Sequence, residues 1–230
     1  MDGAAPHRTL SVIIPCLDEA GVVGPLLASL QSLRRAGHEV ILVDGGSVDG
    51  TDRLAAPLVD LLLASAPGRA RQMNAGARAA GGDILWFLHA DTGLPQDAAG
   101  AVLEGLSAPG AVWGRFDVRL SGDHPLLGLV ARMMNLRSRW SGIATGDQGI
   151  FVSRRAFEAA GGFPDIPLME DIALSRRLKR MARPLCLRQR LTTSSRRWEA
   201  NGVLRTIGLM WLLRLAFALG ASPARLAKWY

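Results

Sequence analysis

The chain is poor in cysteine, and this scarcity argues against two kinds of architecture. Its 230 residues contain two cysteines, Cys16 and Cys186, which lie far apart and form no CxxC pair. A disulfide framework and a cysteine-based zinc site are therefore not expected, and a reducing cytoplasm suits the composition. The first nine residues lack an apolar signal segment, which agrees with that compartment.

Two phosphate-binding motifs are also missing. Neither GxGxxG nor GxxxxGK[ST] follows any of the apolar runs that could be strands. Because these motifs cradle dinucleotides and nucleoside triphosphates at helix N-termini, their absence argues against nicotinamide chemistry and P-loop hydrolysis.

Positive charge is in excess and is concentrated late in the chain. The formal net charge is +7, and the densest basic stretch runs from Arg176 to Arg197. Such a stretch suits nucleic acid, anionic lipid or phosphorylated ligands. Because no recognition-helix or RNA-binding motif is present and aromatic residues do not interleave with the basic stretch, nucleic acid is not an expected partner.

The first half of the chain alternates short apolar runs with helical patterns. The apolar runs are Leu10–Pro15, Glu39–Asp44, Leu58–Ala64 and Asp83–Leu88. A helical stripe covers Val22–Arg35, and a further helix opens at Gly68. Because short strand–helix–strand connections are right-handed and parallel, we predict a single α/β domain with a mostly parallel sheet.

The second half is less regular. We predict helices over Asp97–Leu106, His124–Trp140 and Ile172–Met181, and strands over Ala111–Leu120 and Ile150–Val152. Val203–Leu219 is apolar but short for a membrane span, and at about 100° per residue its two arginines, Arg205 and Arg214, fall on opposite sides of the helix. We expect this helix to cover the core or a partner, with contact to a membrane surface as the alternative.

Polar residues follow the predicted parallel strands at the edge where open α/β sheets bind ligands. Asp83–Leu88 leads into His89 and Asp91, an imidazole and a carboxylate that could hold a divalent cation against phosphate oxygens. Glu39–Asp44 leads into an acidic, glycine-rich loop, where Asp44 could accept from a base or a ribose hydroxyl. In both places the alternative is an ordinary turn that caps the next helix.

Later segments carry groups suited to anion binding or proton transfer. Arg69 and Arg71 lie beside the free N–H groups of the helix that Gly68 opens, which makes an anion site unless this is a plain surface helix. Glu170 and Asp171 stand at a helix start, where a carboxylate stays ionised and could act as a general base; a simple N-cap is the alternative.

Together these segments resemble the family 2 glycosyltransferases of the GT-A fold. The resemblance rests on motifs in the family's order over about residues 9–200: Ser11-Val-Ile-Ile-Pro15 with Asp18-Glu19, Val43-Asp44-Gly-Gly-Ser-Val-Asp49-Gly-Thr51, Gly68-Arg69-Ala-Arg-Gln72, Phe87-Leu-His-Ala-Asp91 and Met169-Glu170-Asp171. The wording Phe-Leu-His-Ala-Asp-Thr, Gly-Asp-Gln-Gly-Ile-Phe-Val, Gly-Gly-Phe-Pro and Ser-Ser-Arg-Arg-Trp resembles a narrower subgroup. That subgroup comprises small bacterial transferases associated with radical-SAM/selenodomain proteins, often labelled arsenosugar-biosynthesis glycosyltransferases.

The resemblance implies a Rossmann-like GT-A fold, with a mixed, mostly parallel sheet flanked by helices and a C-terminal helical segment. One domain would cover residues 1–230. It would comprise a nucleotide-binding half (9–115), an acceptor and catalytic half (116–200) and C-terminal helices (201–230).

The resemblance also implies roles for individual residues. The nucleotide sugar would contact Pro15, Glu19, Asp44, Asp49, Gly68, Arg69, Gln72, Arg196, Arg197 and Trp198. Asp91 would be the last carboxylate of a metal-binding DxD motif, with His89 in the first position and Mg²⁺ or Mn²⁺ as the cofactor. Asp171 of the Glu170–Asp171 pair would be the catalytic base. The acceptor side is harder to interpret, and Arg115, Asp147 and Gln148 are its candidate residues.

Several positions depart from the family pattern. Asp18 stands where asparagine is usual, His89 replaces the first aspartate of DxD, and Ser194 replaces the glutamine of Gln-x-x-Arg-Trp. No histidine follows His124, so a late histidine metal ligand is absent. Metal binding would then depend on Asp91, His89, water and the phosphates of the nucleotide.

We therefore expect inverting transfer of a sugar from a nucleoside diphosphate, with uridine diphosphate as the expected nucleotide. The acceptor would be a small molecule or a lipid-linked molecule, and the enzyme would be cytoplasmic or peripheral at the inner face of the membrane. Two alternatives stay open: a nucleotidylyltransferase, which would release pyrophosphate, and a non-catalytic basic module that docks on membranes or on a partner.

Overall fold

The computed structural model describes residues 8–229, apart from the side chain of Arg197. Most of the N-terminal stretch considered for a signal segment, residues 1–7, lies outside this range. Within the range, seven strands form one sheet: β1 Leu10–Cys16, β2 Glu39–Asp44, β3 Leu61–Ala64, β4 Ile84–Phe87, β5 Trp113–Leu120, β6 Phe151–Ser153 and β7 Leu185–Thr193. The described α-helices are α1 Ala20–Ser29, α2 Gln31–Arg35, α3 Thr51–Ala55, α4 Arg69–Ala79, α5 Ala98–Ser107, α6 Leu126–Ser141, α7 Arg154–Ala159, α8 Glu170–Met181, α9 Arg196–Asn201, α10 Val203–Ala218 and α11 Pro223–Leu226.

The sheet has the strand order β3-β2-β1-β4-β6-β5-β7. The strands β3, β2, β1 and β4 are parallel, as the alternating patterns predict, whereas β6 runs antiparallel to both β4 and β5. β5 and β7 are parallel, with a register shift between Phe116 and Asp117. The predicted α/β fold with a mixed, mostly parallel sheet is therefore confirmed.

The central strands are buried on both faces because helices pack against each side of the sheet. Along β1, Val12 and Ile14 belong to one apolar cluster and Ile13 to the other. Along β4, Trp86 and Phe87 divide in the same way. Apolar runs without polar alternation are typical of parallel strands covered by helices, which is why these strands could be predicted.

Pro15 lies within β1, next to its open end. β1 pairs with β2 as far as Cys16, but with β4 only as far as Ile13. Because no β4 partner faces Pro15, its missing N–H costs no hydrogen bond in that ladder. The end of β1 is thus unpaired on one side, at the edge where the loops of the candidate site converge.

Several elements differ from the predicted ones. The stripe over Val22–Arg35 divides into α1 and α2 at Leu30, whose backbone N–H donates to both Leu26 and Leu27. β7 was not predicted, because this edge strand carries exposed Arg188 and Arg190 and no continuous apolar run.

The C-terminal helices pack on the start of α8. Leu213 of α10 and Leu226 of α11 form a buried cluster with Met169 and Ile172. The opposite side of α10 is exposed. We expected this helix to cover the core, and only one of its faces does so. Among the described residues, no helix is long and apolar enough to cross a membrane.

Candidate functional site

The loop after β4 is joined to the end of β7. The N–H of Thr92 donates to the carbonyl of His89 at 3.1 Å, which closes a turn around Asp91. Gly93 and Thr192 then exchange two backbone hydrogen bonds of 2.7 and 2.8 Å. This bridge brings Arg196, at the start of α9, to the carboxylate of Asp91.

Glu19 and Asp91 face the same guanidinium. Nη2 of Arg196 lies 3.6 Å from Oδ2 of Asp91 and 3.9 Å from Oε2 of Glu19. These are loose contacts of an exposed side chain, and such pairs contribute little to stability. Burial and the charge of Asp91 raise the pKa of Glu19, although the charge of Arg196 opposes the rise. Two carboxylates that face one positively charged group are also suited to a divalent cation.

His89 contacts Asp147 in this structure. Its Nδ1 lies 3.3 Å from Oδ1 of Asp147, and its Nε2 is buried without a hydrogen-bond partner among the residues that the structure describes. A Cβ built on Gly146 would lie only 2.5 Å from that Nε2. The 3₁₀ turn Gly146–Gln148 therefore encloses both ring nitrogens, and the predicted metal contact of His89 would need the turn or the ring to move.

The contact with His89 affects the pKa of Asp147. Burial alone would raise the pKa of Asp147, but the hydrogen bond and the charge of His89, with Arg69 and Arg137, bring the pKa below its usual range. Asp147, an acceptor-side candidate, thus stays ionised beside an imidazole.

Asp171 lies on the other side of Gly146. Its Oδ2 accepts from the N–H of Gly146 at 2.9 Å, and its Oδ1 accepts from the N–H of Ile172 at 2.6 Å. Burial raises the pKa of Asp171, and these two N–H bonds only partly oppose the rise. The residue at the N-cap position of α8 is Met169, so the structure does not show Asp171 as a simple N-cap. A carboxylate with a raised pKa in a cleft is suited to take up a proton.

Glu170 is more deeply buried than its neighbour. Burial raises the pKa of Glu170, and the charge of Asp171 acts in the same direction. The form in which both carboxyl groups are charged is thus disfavoured.

Two non-glycine residues of the described chain have positive φ, Asp18 at 53° and Met169 at 70°. Each stands immediately before an acid of the site, Glu19 or Glu170. A left-handed backbone at such residues costs about 1–3 kcal/mol, and strain of this kind concentrates at functional sites. The two turns therefore mark the same two acids that the motifs single out.

The loop after β2 uses its acids to hold itself together. Asp44 accepts from two backbone N–H groups of its own loop, each at 2.9 Å. Asp49 accepts from the hydroxyl of Thr51 at 2.5 Å and from the N–H of Ala20 at 2.9 Å, and these bonds lower the pKa of Asp49. Asp44 therefore holds its own loop in shape, and Asp49 joins this loop to α1. The predicted contacts of both residues with a nucleoside stay predictions.

α4 begins at the same edge of the sheet. Gly68 precedes it with a φ of 134°, which a residue with a side chain rarely adopts. The buried amide of Gln72 donates to the carbonyls of Cys16 at 2.7 Å and Val43 at 2.9 Å. Gln72 thus joins the ends of β1 and β2 beneath the cleft, a structural role in addition to the predicted one.

Arg69 is exposed and forms no ion pair with any other residue that the structure describes. Its charge nevertheless opposes the rise in the pKa values of Glu19, Glu170 and Asp171. An unpaired guanidinium among acids at a helix N-terminus is well suited to phosphate oxygens.

Arg115 and Gln148 lie below the surface of the cleft. Arg115 has no exposed area; it pairs with Asp117 and donates to the carbonyl of Asn135 at 3.1 Å, which ties β5 to α6. Gln148 is also fully buried, and its Oε1 accepts from the N–H of Thr145 at 3.2 Å. Direct acceptor contact is therefore not supported for Arg115, because its guanidinium is enclosed and paired.

Trp198 and Arg197 were also predicted to contact the sugar donor. Trp198 packs with Leu127, Val130 and Val203 in an apolar cluster between α6 and α10. The side chain of Arg197 lies outside the described part of the structure.

Arg137 was missed by the sequence reasoning. Its Nε and Nη2 are buried, and within residues 8–229, the side chain of Arg197 aside, they have no hydrogen-bond partners. Burial lowers the pKa of Arg137, while the charges of Asp171 and Asp147 oppose that change. One feature of the sequence could have identified Arg137: it lies on the inward side of the amphipathic helix α6. Burying an unpaired charge there costs free energy, so an arginine at such a position indicates a function.

A divalent cation would find an incomplete set of protein ligands. No group of three or more His, Cys, Asp or Glu side chains able to hold a metal occurs among the described residues. The Glu19–Asp91 pair fits a cation that takes its remaining ligands from a diphosphate and water, as Mg²⁺ commonly does.

A groove of about 560 Å³ opens beside Asp91 and Arg196. Val22 and Pro25 of α1 line it, and so does Thr192 of β7. Apolar side chains facing hydroxyl groups are suited to a sugar ring or another small polar ligand.

A family model and several relatives match the chain. The family model described as "Glycosyl transferase family 2" matches residues 11–155. The beta-monoglucosyldiacylglycerol synthase of Synechocystis sp. is 26% identical over an aligned length of 196, and the alignment covers 75% of this chain and 40% of that protein. The poly-beta-1,6-N-acetyl-D-glucosamine synthase of Staphylococcus epidermidis is 25% identical over an aligned length of 251, gaps included, and the alignment covers 96% of this chain and 56% of that protein. The chain thus spans about half the length, or less, of these curated relatives.

Solved structures share the fold at lower identity. TarS 1-349 of S. aureus in complex with UDP has a TM-score of 0.67 at 15% identity, covering 81% of this chain and 60% of that one. A mannosyltransferase from Pyrobaculum calidifontis in complex with GDP-Man and Mn²⁺ has a TM-score of 0.63 at 21% identity, covering 80% and 56%. Glucosyl-3-phosphoglycerate synthase from Mycobacterium tuberculosis, with Mn²⁺, UDP and glucosyl-3-phosphoglycerate, has a TM-score of 0.58 at 19% identity, covering 81% and 71%. These likenesses confirm the GT-A fold.

Proposed function

The chain belongs to glycosyl transferase family 2, and we propose that it is a glycosyltransferase that moves a sugar from UDP to a hydroxyl acceptor with inversion at the anomeric carbon. One juxtaposition carries the proposal. Arg69 links two groups of residues: its charge acts on the pKa of Asp171, which burial raises, and also on the pKa of Glu19, which together with Asp91 faces the guanidinium of Arg196. The carboxylate is suited to proton removal and the mixed-charge group to a diphosphate, and sugar transfer needs both.

On the donor side, the loops after β1, β2 and β4 would receive the nucleoside, and Arg69 and Arg196 would stabilise the departing diphosphate. Asp91 and Glu19 would hold Mg²⁺ or Mn²⁺, and His89 would stay with Asp147. When bound, the cation supplies positive charge where the diphosphate charge develops. The neighbours in complex with UDP, or with GDP-Man and Mn²⁺, support a nucleotide donor and a divalent ion.

On the acceptor side, Asp171 would take the proton of the hydroxyl as its oxygen attacks the anomeric carbon from the face opposite the diphosphate. The N–H of Gly146 holds Asp171 in place at 2.9 Å. Asp147 and Arg137 would line the approach to the base. The motif wording supports membership of the radical-SAM-associated, arsenosugar-type subgroup, with a small-molecule or lipid-linked acceptor in the cytoplasm or at the inner membrane face.

The test is release of nucleoside diphosphate from UDP-glucose, UDP-GlcNAc and GDP-mannose with Mn²⁺, with and without a panel of hydroxyl acceptors. Asp171→Asn should lower turnover by about 10²–10⁴-fold, the usual contribution of a general base. UDP affinity by calorimetry should stay within about twofold, since Asp171 is not assigned a nucleotide contact. Asp165→Asn, an exposed carboxylate paired with Arg71, is the matched control.

Unchanged turnover in Asp171→Asn would remove this residue as the base. Release of pyrophosphate from a nucleoside triphosphate and a sugar phosphate would instead assign the chain to nucleotidyl transfer.

A further inference from the structure

α10 is apolar on both of its sides. Its inner side, which includes Val203 and Leu213, is buried in the two C-terminal clusters. Its outer face consists of side chains that are between 52% and 80% exposed: Leu204, Trp211, Leu212, Leu215 and Leu219. A helix that is apolar all round is normally covered on all sides, so this outer face lacks a cover within the described chain.

A second exposed stripe lies on α6. Leu129, Met133, Leu136 and Trp140 follow a spacing of four, three and four residues, and they are between 51% and 88% exposed. On its other side, α6 packs through Val130 into the cluster that includes Val203 of α10. The two helices therefore meet at this cluster, and each of them carries an exposed apolar stripe. Apolar surface concentrated in this way marks an interaction site.

The charged side chains on the two segments that carry these stripes are all basic. At about 100° per residue, the outer face of α10 spans the arc between Arg214 on one border and Arg205 on the other. Arg205 and Arg214 thus lie along the two borders of the outer face, and the face between them is apolar. Acidic residues are absent from Leu126–Ser141 and from residues 200–230, whereas Arg132, Arg225 and Lys228 are exposed there.

We propose that the outer face of α10 and the stripe of α6 dock on the surface of an anionic lipid bilayer. Three exposed tryptophans, Trp140, Trp211 and Trp229, support lipid as the occupant, because indole rings settle at the level of the head groups. The arginines that border the face complement anionic phosphates at that depth. The inference concerns binding alone and does not depend on sugar transfer.

The test is co-sedimentation of the full chain with sucrose-loaded vesicles of phosphatidylcholine, with and without about one third phosphatidylglycerol. The chain should pellet with the anionic vesicles, and binding should weaken in about 1 M salt, where the Debye length falls from about 10 Å to about 3 Å. Trp211→Ser with Leu215→Ser should lower the partition coefficient by about tenfold or more, since two apolar anchors are lost. The matched control is Leu54→Ser with Leu62→Ser, two exposed leucines on α3 and the edge strand β3.

Three results would overturn the proposal. The wild type could fail to pellet with anionic vesicles, or the Trp211→Ser/Leu215→Ser protein could pellet as well as the wild type. Light scattering could also show a wild-type dimer that this variant abolishes, which would assign the face to a second copy. Donor turnover without lipid should be equal in wild type and variant, so loss of docking is distinguishable from loss of sugar transfer or of folding.

Discussion

Replacing Gly146 with alanine tests whether the turn between His89 and Asp171 prepares the base. The new Cβ would lie 2.5 Å from Nε2 and 2.9 Å from Cε1 of His89, so either the ring or the turn has to move. The His89 side chain is only 17% exposed and has little room, whereas Asp147 of the turn is 41% exposed, and we therefore expect the turn to move. The N–H that donates to Asp171 at 2.9 Å would move with it.

The size of the effect follows from that hydrogen bond. A bond to a charged group contributes about 1.5–3 kcal/mol, and about 1.4 kcal/mol is tenfold in rate, so kcat/KM should fall by about 10–150-fold. The same N–H opposes the rise in the pKa of Asp171, so losing it should raise that pKa further. Because the base must be ionised, activity would then be lost at a higher pH as the solution is acidified.

The assay is a pH profile of kcat/KM for donor turnover, with thermal unfolding as the check on folding. Gly128→Ala is the control, because a Cβ there meets nothing within 4 Å. His89→Ala removes the clashing ring, so Gly146→Ala made in that background should cost much less. An equal loss in both backgrounds, or an unmoved acid limb in Gly146→Ala, would refute the reasoning.

Three further substitutions test other contacts. Glu170→Gln removes a buried charge next to Asp171, so Tm should rise at pH 7.5 by about 2–4 °C for each kcal/mol relieved. A carboxyl group whose pKa is raised on folding destabilises the protein at pH values above that pKa. The gain in Tm of Glu170→Gln over the wild type should therefore disappear as the pH falls through the raised pKa towards the pKa of the unfolded chain. Equal Tm values at pH 7.5 would contradict this. Arg196→Ala should tighten Mn²⁺ binding without nucleotide, since it frees Asp91, and should weaken UDP binding; calorimetry that shows both affinities falling would count against the assignment. Gln72→Leu leaves two strand-end carbonyls unpaired and should lower the free energy of unfolding by about 1–3 kcal/mol for each, measured in urea; an unchanged midpoint would show that water replaces the amide.

The parallel half of the fold could be predicted because burial on both faces leaves a clear pattern. β1 and β4 read as short apolar runs, and helices cover them on each side. β7 could not be predicted in the same way, because an edge strand with Arg188 and Arg190 exposed resembles a basic loop. The approach of Arg196 to Asp91 depends on the Gly93–Thr192 bridge, a contact between distant segments that no local pattern reports.

Within the site, local spacing predicted which loops converge and was less informative about individual contacts. His89 stands two residues before Asp91, which favoured a shared cation, but the fold places its ring against Asp147. Arg115 lies in the inner part of β5, where four successive residues are buried, so alternation along the strand could not show that it is enclosed. Arg137 lacked a motif altogether and is identified only by its unpaired, buried nitrogens.

The central claim is that the cleft between Glu19, Asp91 and Asp171 binds a nucleoside diphosphate sugar with a divalent ion. Calorimetric titration with UDP and with GDP, each in Mn²⁺ and in EDTA, tests it most directly. We predict that UDP binds only when Mn²⁺ is present and that Asp91→Asn abolishes this binding, whereas Asp165→Asn binds UDP as the wild type does. A folded protein that binds neither nucleotide in Mn²⁺, or that binds equally well in EDTA and in Asp91→Asn, would contradict it.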